Sequence, residues 1–110
     1  MNLTILGSTG TIGKNTLSII NKIDKRINIF ALTAKSNIQL LYSQIKKFTP
    51  KYAVVLDPKD AEKINIKCKQ NNIKTKILSG KNNYCFVATH TKVNYVLSAI
   101  VGAAALEPTY

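Results

Sequence analysis

The sequence predicts an α/β fold, a doubly wound and mainly parallel sheet covered by helices, and two observations carry that expectation. Short apolar runs alternate with amphipathic segments along the 110 residues, the pattern left by successive strand-helix-strand crossovers. The first run, Leu3-Thr4-Ile5-Leu6, passes directly into Gly7-Ser8-Thr9-Gly10-Thr11-Ile12-Gly13, a strand-to-helix turn with glycines three apart.

That turn reads as a phosphate-binding loop. Its glycines let the backbone leave a strand sharply, approach a pyrophosphate closely and pack the next helix on the strand. The first helical turn presents unpaired amides backed by the positive end of the helix dipole. Thr9 and Thr11 can add hydroxyl donors. A glycine triplet alone is also compatible with a plain structural turn, and the strand before it and helix after it favour the dinucleotide reading.

Ile12, Thr16, Ile19, Ile20 and Ile23 recur at the spacing of one helix face, so an amphipathic helix is expected to end near Asp24-Lys25-Arg26. Ile27 to Leu32 reads as a second buried strand. This strand-helix-strand unit places the glycine turn at the carboxyl edge of a parallel sheet. At the second strand's end, an NAD-preferring site usually holds an acidic residue for the ribose 2′-hydroxyl. Here Thr33-Ala34-Lys35-Ser36-Asn37 offers a cation and hydrogen-bonding side chains instead, which suits the 2′-phosphate of NADP. Asn37 can also cap the following helix with Lys35 solvated, and the two roles are compatible.

Ile38, Leu41, Ile45 and Phe48 give a second helix face, ended by Thr49-Pro50. Tyr52 to Leu56 is a third buried strand. Asp57-Pro58 supplies an N-cap followed by proline, with Ala61, Ile64 and Cys68 on the inner face of a third helix and Asn71-Asn72 closing it. Thr75 to Leu78 is short and half-polar, suited to a sheet edge. Ser79-Gly80 turns the chain, and 82–89 is ambiguous between loop and weak helix. His90 falls in a polar loop and reads as surface decoration. Val93 to Val101 is a fifth strand, and Ala99, Ile100 and Gly102 either flank the ligand of the glycine turn or allow tight helix packing. The expected whole is Rossmann-like and incomplete at its C-terminal end.

Composition narrows the function. A 45% apolar content fits one folded domain. No apolar run reaches a membrane span and no secretory leader is evident, so the expected compartment is the cytoplasm. A net charge of +11 invites nucleic acid. However, Arg26 is the single arginine and the lysines are dispersed, so no nucleic-acid partner is expected. Cys68 and Cys85 fit no metal spacing and read as two buried, reduced thiols. The five carboxylates, Asp24, Asp57, Asp60, Glu62 and Glu107, form no close pair suited to a divalent metal, and no nucleophile stands beside an obvious base. Neither a catalytic nor a metal-ligating residue is therefore expected in 1–110, which reads as the front of a longer protein.

Several stretches carry a resemblance: Leu3 to Gly13, Ala31-Leu32-Thr33-Ala34 before Asn37, Pro50-Lys51-Tyr52-Ala53-Val54, Leu78-Ser79-Gly80, and Ala99-Ile100-Val101-Gly102-Ala103-Ala104 before Pro108-Thr109. In this order they resemble the N-terminal domain of the 1-deoxy-D-xylulose 5-phosphate reductoisomerase family. The resemblance implies an oxidoreductase of the non-mevalonate isoprenoid route that uses NADPH with Mg or Mn. It would convert a phosphosugar, deoxyxylulose phosphate, to methylerythritol phosphate, as a homodimer when full length. It further implies that Thr9, Gly10, Thr11 and Ile12 contact the cofactor's pyrophosphate and that Lys35, Ser36 and Asn37 hold its 2′-phosphate. Many members carry Gly then Lys before that Asn, so the cation is displaced here by one place. The metal-binding carboxylates would lie past Tyr110. Two other readings remain open on the residues alone: a stand-alone NADP(H)- or nucleic-acid-binding module, and another NADP-dependent dehydrogenase.

Overall fold

A computed structural model of the chain describes residues 1–23 and 25–98. The described elements are β1 (Asn2–Leu6), α1 (Thr11–Ile23), β2 (Asn28–Ala34), α2 (Ile38–Phe48), β3 (Tyr52–Val55), α3 (Pro58–Gln70), β4 (Lys76–Ser79), α4 (Lys81–Thr89) and β5 (Tyr95–Ser98). They build a five-stranded sheet in the order β4-β3-β2-β1-β5, with every neighbouring pair parallel. The chain steps outward from β1 to β4, then α4 carries it back to set β5 on the other side of β1. Right-handed crossovers that reverse direction must use opposite faces. Accordingly, α1, α2 and α3 share one core with Leu3, Ile5, Ile29, Leu32 and Ala53, whereas Val87 and Ala88 of α4 pack on Leu6, Phe30, Ala31 and Val54. The doubly wound expectation holds, with the order reversing at β1.

Local chemistry explains most boundaries. Asn37 caps α2, its side chain accepting the Leu40 amide proton at 3.2 Å. The helix ends at Thr49, whose N–H still donates to Ile45 O at 2.8 Å and whose left-handed φ of 42° then turns the chain out of the helix. Asp57 Oδ1 accepts the Lys59 N–H at 2.8 Å ahead of Pro58, and α3 buries Ala61, Ile64 and Cys68 as expected. β4 stands at the edge of the described sheet. Thr75, just before it, donates its hydroxyl proton to Pro50 O at 2.6 Å. In β2 the register slips by one against β1, because Leu3 pairs Ile29 but Thr4 pairs Ala31. Phe30 is the extra residue of this bulge and joins the α4-side core beside Ala31.

Three expectations change and one ambiguity is resolved. The buried stripe of α1 is Gly13, Leu17 and Ile20, while Ile12 and Ile19 are 53% and 46% exposed. The apolar positions of α1 span more than one face, and close contact of Gly13 with the turn decides which face turns inward. The ambiguous 82–89 stretch is helical within α4. His90, which ends α4, is half-buried in a ring cluster, 4.8 Å from Phe30, 5.4 Å from Phe86 and 5.9 Å from Tyr52 between centroids. Its Nδ1 accepts the Lys92 N–H at 3.1 Å. Finally, Cys68 is buried but Cys85 is exposed, because α4 turns only Val87 and Ala88 fully inward. The part of the expected fifth strand past Ser98 lies outside the described residues.

Burial pushes the Cys68 thiol above its ordinary value of 9.0, and only the thiolate reacts with alkylating reagents. In folded protein at pH 8, iodoacetamide is expected to modify Cys85 within minutes and Cys68 only after denaturant is added. Peptide mass mapping reads both positions, and equal labelling rates in the folded state would contradict this packing of α3. Among the described residues, no helix is long and apolar enough to cross a membrane.

Candidate functional site

β1 ends at Leu6, opposite Thr33 of β2, so the chain leaves both strands at one edge. Gly7 turns with φ of 80°, a conformation that side chains disfavour. The turn is then fastened to β2. The Gly7 N–H meets both Thr33 O at 3.0 Å and Thr33 Oγ1 at 2.9 Å, and the Ser8 N–H donates to Thr33 O at 2.9 Å. Within the turn, the Gly10 N–H donates to Gly7 O at 3.2 Å. Ser8 is fully buried, and its hydroxyl donates to Gln44 Oε1 at 2.7 Å while Gln44 Nε2 donates back to Ser8 O at 2.9 Å. Gly13 seats α1 on this turn: a Cβ there would stand 2.6 Å from Gly7 O and from Ser8 Cα.

What the turn offers to solvent follows from helix geometry. The Lys14 N–H is the first of α1 to find a helical acceptor, Gly10 O at 2.9 Å. The amides of Thr11, Ile12 and Gly13 therefore precede the first intrahelical bond, and Gly10 has no side chain to cap them. No acidic residue stands in the first turn of α1 or of α2, leaving both dipoles uncompensated at this edge. An anion is the natural partner of such a terminus. Gly10, Thr11 and Ile12 are exposed and Thr9 half-buried.

Lys35, Ser36 and Asn37 follow β2 and are all exposed. Two bonds shape this corner: Ile38 N–H to Ser36 O at 2.9 Å, and the Asn37 cap. The cap occupies Asn37 Oδ1, so the side-chain NH2 remains a separate donor. From the opposite face of the sheet, Tyr84 of α4 donates its phenolic proton to Ala34 O at 3.1 Å, just ahead of Lys35. Burial raises the Tyr84 phenol above its ordinary value, partly offset by a hydrogen bond with the Thr33 side chain. The phenol therefore keeps the proton that it donates.

The two predicted stretches thus leave neighbouring strands at one edge, joined through Thr33. Ala99, Ile100 and Gly102 lie outside the described residues. Sequence reading missed Gln44, Ser8 and Tyr84 as supports of this edge. The available signal was a glutamine on the buried stripe of α2 beside Leu41 and Ile45. The edge is an open ledge; two surface depressions of about 340 and 300 Å³ lie elsewhere, one by Tyr42, Ile64 and Lys67, the other by Lys25, Ile29 and Phe48. Neither brings together groups suited to acid–base or nucleophilic work. Among the described residues, no three His, Cys, Asp or Glu side chains gather as a metal site. The chemistry this edge can perform is to hold and orient a phosphorylated ligand. Unpaired amides, an exposed glycine and Lys35 without a nearby sequence carboxylate fit a dinucleotide bearing a 2′-phosphate.

Comparison with known proteins agrees with the α/β fold. The family model described as 1-deoxy-D-xylulose 5-phosphate reductoisomerase matches residues 3–110. A reductoisomerase of that name from Haemophilus ducreyi is 41% identical over 108 residues, covering 98% of this chain and 27% of that protein. One from Methylobacillus flagellatus is 46% identical over 107 residues, covering 97% and 27%. The chain thus spans about a quarter of the length of the curated relatives it matches. A crystal structure of DOX-P reductoisomerase in complex with NADPH, fosmidomycin and magnesium superposes with a TM-score of 0.88 at 36% identity, over 94% of this chain and 25% of that one. The Zymomonas mobilis reductoisomerase in complex with NADPH gives a TM-score of 0.85 at 28% identity, over 97% and 27%.

Proposed function

Since the chain belongs to the 1-deoxy-D-xylulose 5-phosphate reductoisomerase family, we propose that residues 1–110 are the N-terminal NADPH-binding domain of such an enzyme. The observation that carries this reading is the glycine turn with three uncapped helix amides, fastened through Thr33 to an acid-free strand end. In this reading the backbone from Thr9 to Ile12 and the Thr9 and Thr11 hydroxyls hold the pyrophosphate. Lys35, Ser36 and Asn37 hold the 2′-phosphate, with Lys35 supplying the charge. Bound NADPH supplies the hydride; this domain fixes where the nicotinamide can lie.

The reaction of the whole protein is proposed to be rearrangement and reduction of deoxyxylulose phosphate to methylerythritol phosphate. Catalytic and metal-binding groups, for Mg or Mn, would come from polypeptide outside 1–110, as would the contacts of a homodimer. A cytoplasmic location and the absence of a nucleic-acid partner complete the proposal, supported by dispersed lysines around a lone Arg26.

Calorimetric titration of the protein carrying this chain tests the reading. NADPH is expected to bind roughly tenfold to a hundredfold more tightly than NADH, because charge-assisted hydrogen bonds contribute about 1.5–3 kcal/mol. Adding salt should narrow that ratio, since Lys35 is exposed. Equal affinity for the two dinucleotides would overturn the 2′-phosphate assignment. A steeply salt-dependent affinity for duplex DNA without NADPH binding would overturn the whole reading.

A further inference from the structure

We infer that Gln44 is a positioning residue for cofactor binding, acting through Ser8 to aim the Thr9 amide. The inference rests on the NADPH reading above.

Gln44 is 7% exposed and projects from the otherwise apolar inner stripe of α2. Burying an amide costs free energy unless it is hydrogen-bonded, and an aliphatic side chain would fill the same space without that demand. Both of its hydrogen bonds go to one residue 36 positions away. Oε1 accepts the Ser8 hydroxyl proton at 2.7 Å, and Nε2 donates to Ser8 O at 2.9 Å. Ser8 is itself fully buried, so this pair serves the backbone it belongs to.

The Ser8 carbonyl and the Thr9 N–H are the two ends of one peptide unit. The described chain holds no cis bond, and in a trans unit C=O and N–H point in opposite directions. Drawing Ser8 O onto α2 therefore turns the Thr9 N–H away from α2. The preceding unit is fixed independently, its oxygen accepting from Gly10 N at 3.2 Å and its Ser8 N–H donating to Thr33 O at 2.9 Å. Without Gln44 the Ser8-Thr9 unit loses the bond that orients it, and Thr9 is the first residue of the proposed pyrophosphate cradle. Gln44 thus stands behind the loop and sets the direction of a donor in front of it.

The test uses the full-length protein, with NADPH binding by the unmodified form established first; its failure would be a failure of the function reading instead. Gln44→Met keeps the volume and removes the polar head. It is expected to raise the NADPH dissociation constant and KM about tenfold, with kcat at saturating NADPH and the phosphosugar KM within about twofold. Gln44→Glu separates orientation from packing. The hydrogen-bond partners at position 44, Ser8 Oγ and Ser8 O, do not titrate. A protonated carboxyl there reproduces the donor–acceptor pair, whereas a carboxylate faces the Ser8 carbonyl oxygen and repels it. Position 44 is 7% exposed, and burial raises a carboxyl above its ordinary range; relative to the unmodified protein at each pH, Gln44→Glu should therefore bind NADPH nearly normally near pH 5 and about tenfold more weakly near pH 8. Unchanged NADPH affinity in Gln44→Met, or a flat relative profile in Gln44→Glu, would overturn the inference. Should Gln44→Met fail to fold, the pH profile of Gln44→Glu decides.

Discussion

Gly13→Ala is expected to destabilise the protein by about 3 kcal/mol and to weaken NADPH binding at least about tenfold in whatever remains folded. The added Cβ would stand 2.6 Å from Gly7 O, 2.6 Å from Ser8 Cα and 2.8 Å from Ser8 C. All three are backbone atoms of the turn, so no flexible side chain can yield. Relief requires α1 to lift off, carrying its unpaired amides away from the ligand, or Ser8 to shift and break its bonds with Gln44 and Thr33. Both routes damage the same site, so stability and affinity should fall together. Gly80→Ala is the informative contrast. Its φ of 94° imposes conformational strain, but nothing lies within 4 Å of the added carbon, so about 1–2 kcal/mol is expected and NADPH affinity should hold. Urea unfolding with an unchanged m-value, paired with NADPH titration, measures both variants. A Gly13→Ala protein within 0.5 kcal/mol of the original would mean that α1 does not seat on the turn as described.

The comparison between these glycines shows what could be read from the chain before its fold was known. Spacing alone identified the turn, and a strand-turn-helix context assigned Gly13 to close packing; that reading survives. Alternation of apolar runs likewise located the starts of the five described strands to within two residues; the inner strands β1, β2 and β3 need a near-continuous apolar stretch whatever surrounds them, while β4 was legible as a half-polar edge stretch. Caps were equally legible, since Asn37 and Asp57 act on backbone two or three residues away. The misreadings share a different cause. Which stripe of α1 faces inward depends on a contact with the turn that periodicity cannot express. Exposure of Cys85 and the ring packing of His90 depend on where α4 lies across the sheet. Gln44 lay unnoticed among apolar neighbours because its partner is 36 residues distant. Local chemistry can be read locally; the supports of the site are tertiary.

That division gives the proposed cofactor-selecting corner its test, because there the sequence signal is an absence, the missing acid after β2. Restoring an acid should reverse it. Lys35→Asp removes the proposed partner of the 2′-phosphate and places a like charge beside it, while offering a carboxylate to the ribose 2′-hydroxyl of NADH. NADPH affinity is expected to fall about a hundredfold, roughly 3 kcal/mol, with NADH affinity unchanged or improved. Folding stability should stay within about 0.5 kcal/mol, since Lys35 is exposed. Because the turn, Thr33 and Gln44 are untouched, the proposed pyrophosphate cradle remains intact, and the change isolates the 2′-phosphate. Parallel titrations with NADPH, NADH and 2′-phosphoadenosine, the last lacking pyrophosphate and nicotinamide, read it directly. If all three bind Lys35→Asp as they bind the original, the cation displaced by one place is not the selecting group. Ser36 and the Asn37 amide would then carry the preference by hydrogen bonds alone. If NADPH and 2′-phosphoadenosine weaken by the same factor while NADH does not, the charge at position 35 selects the cofactor.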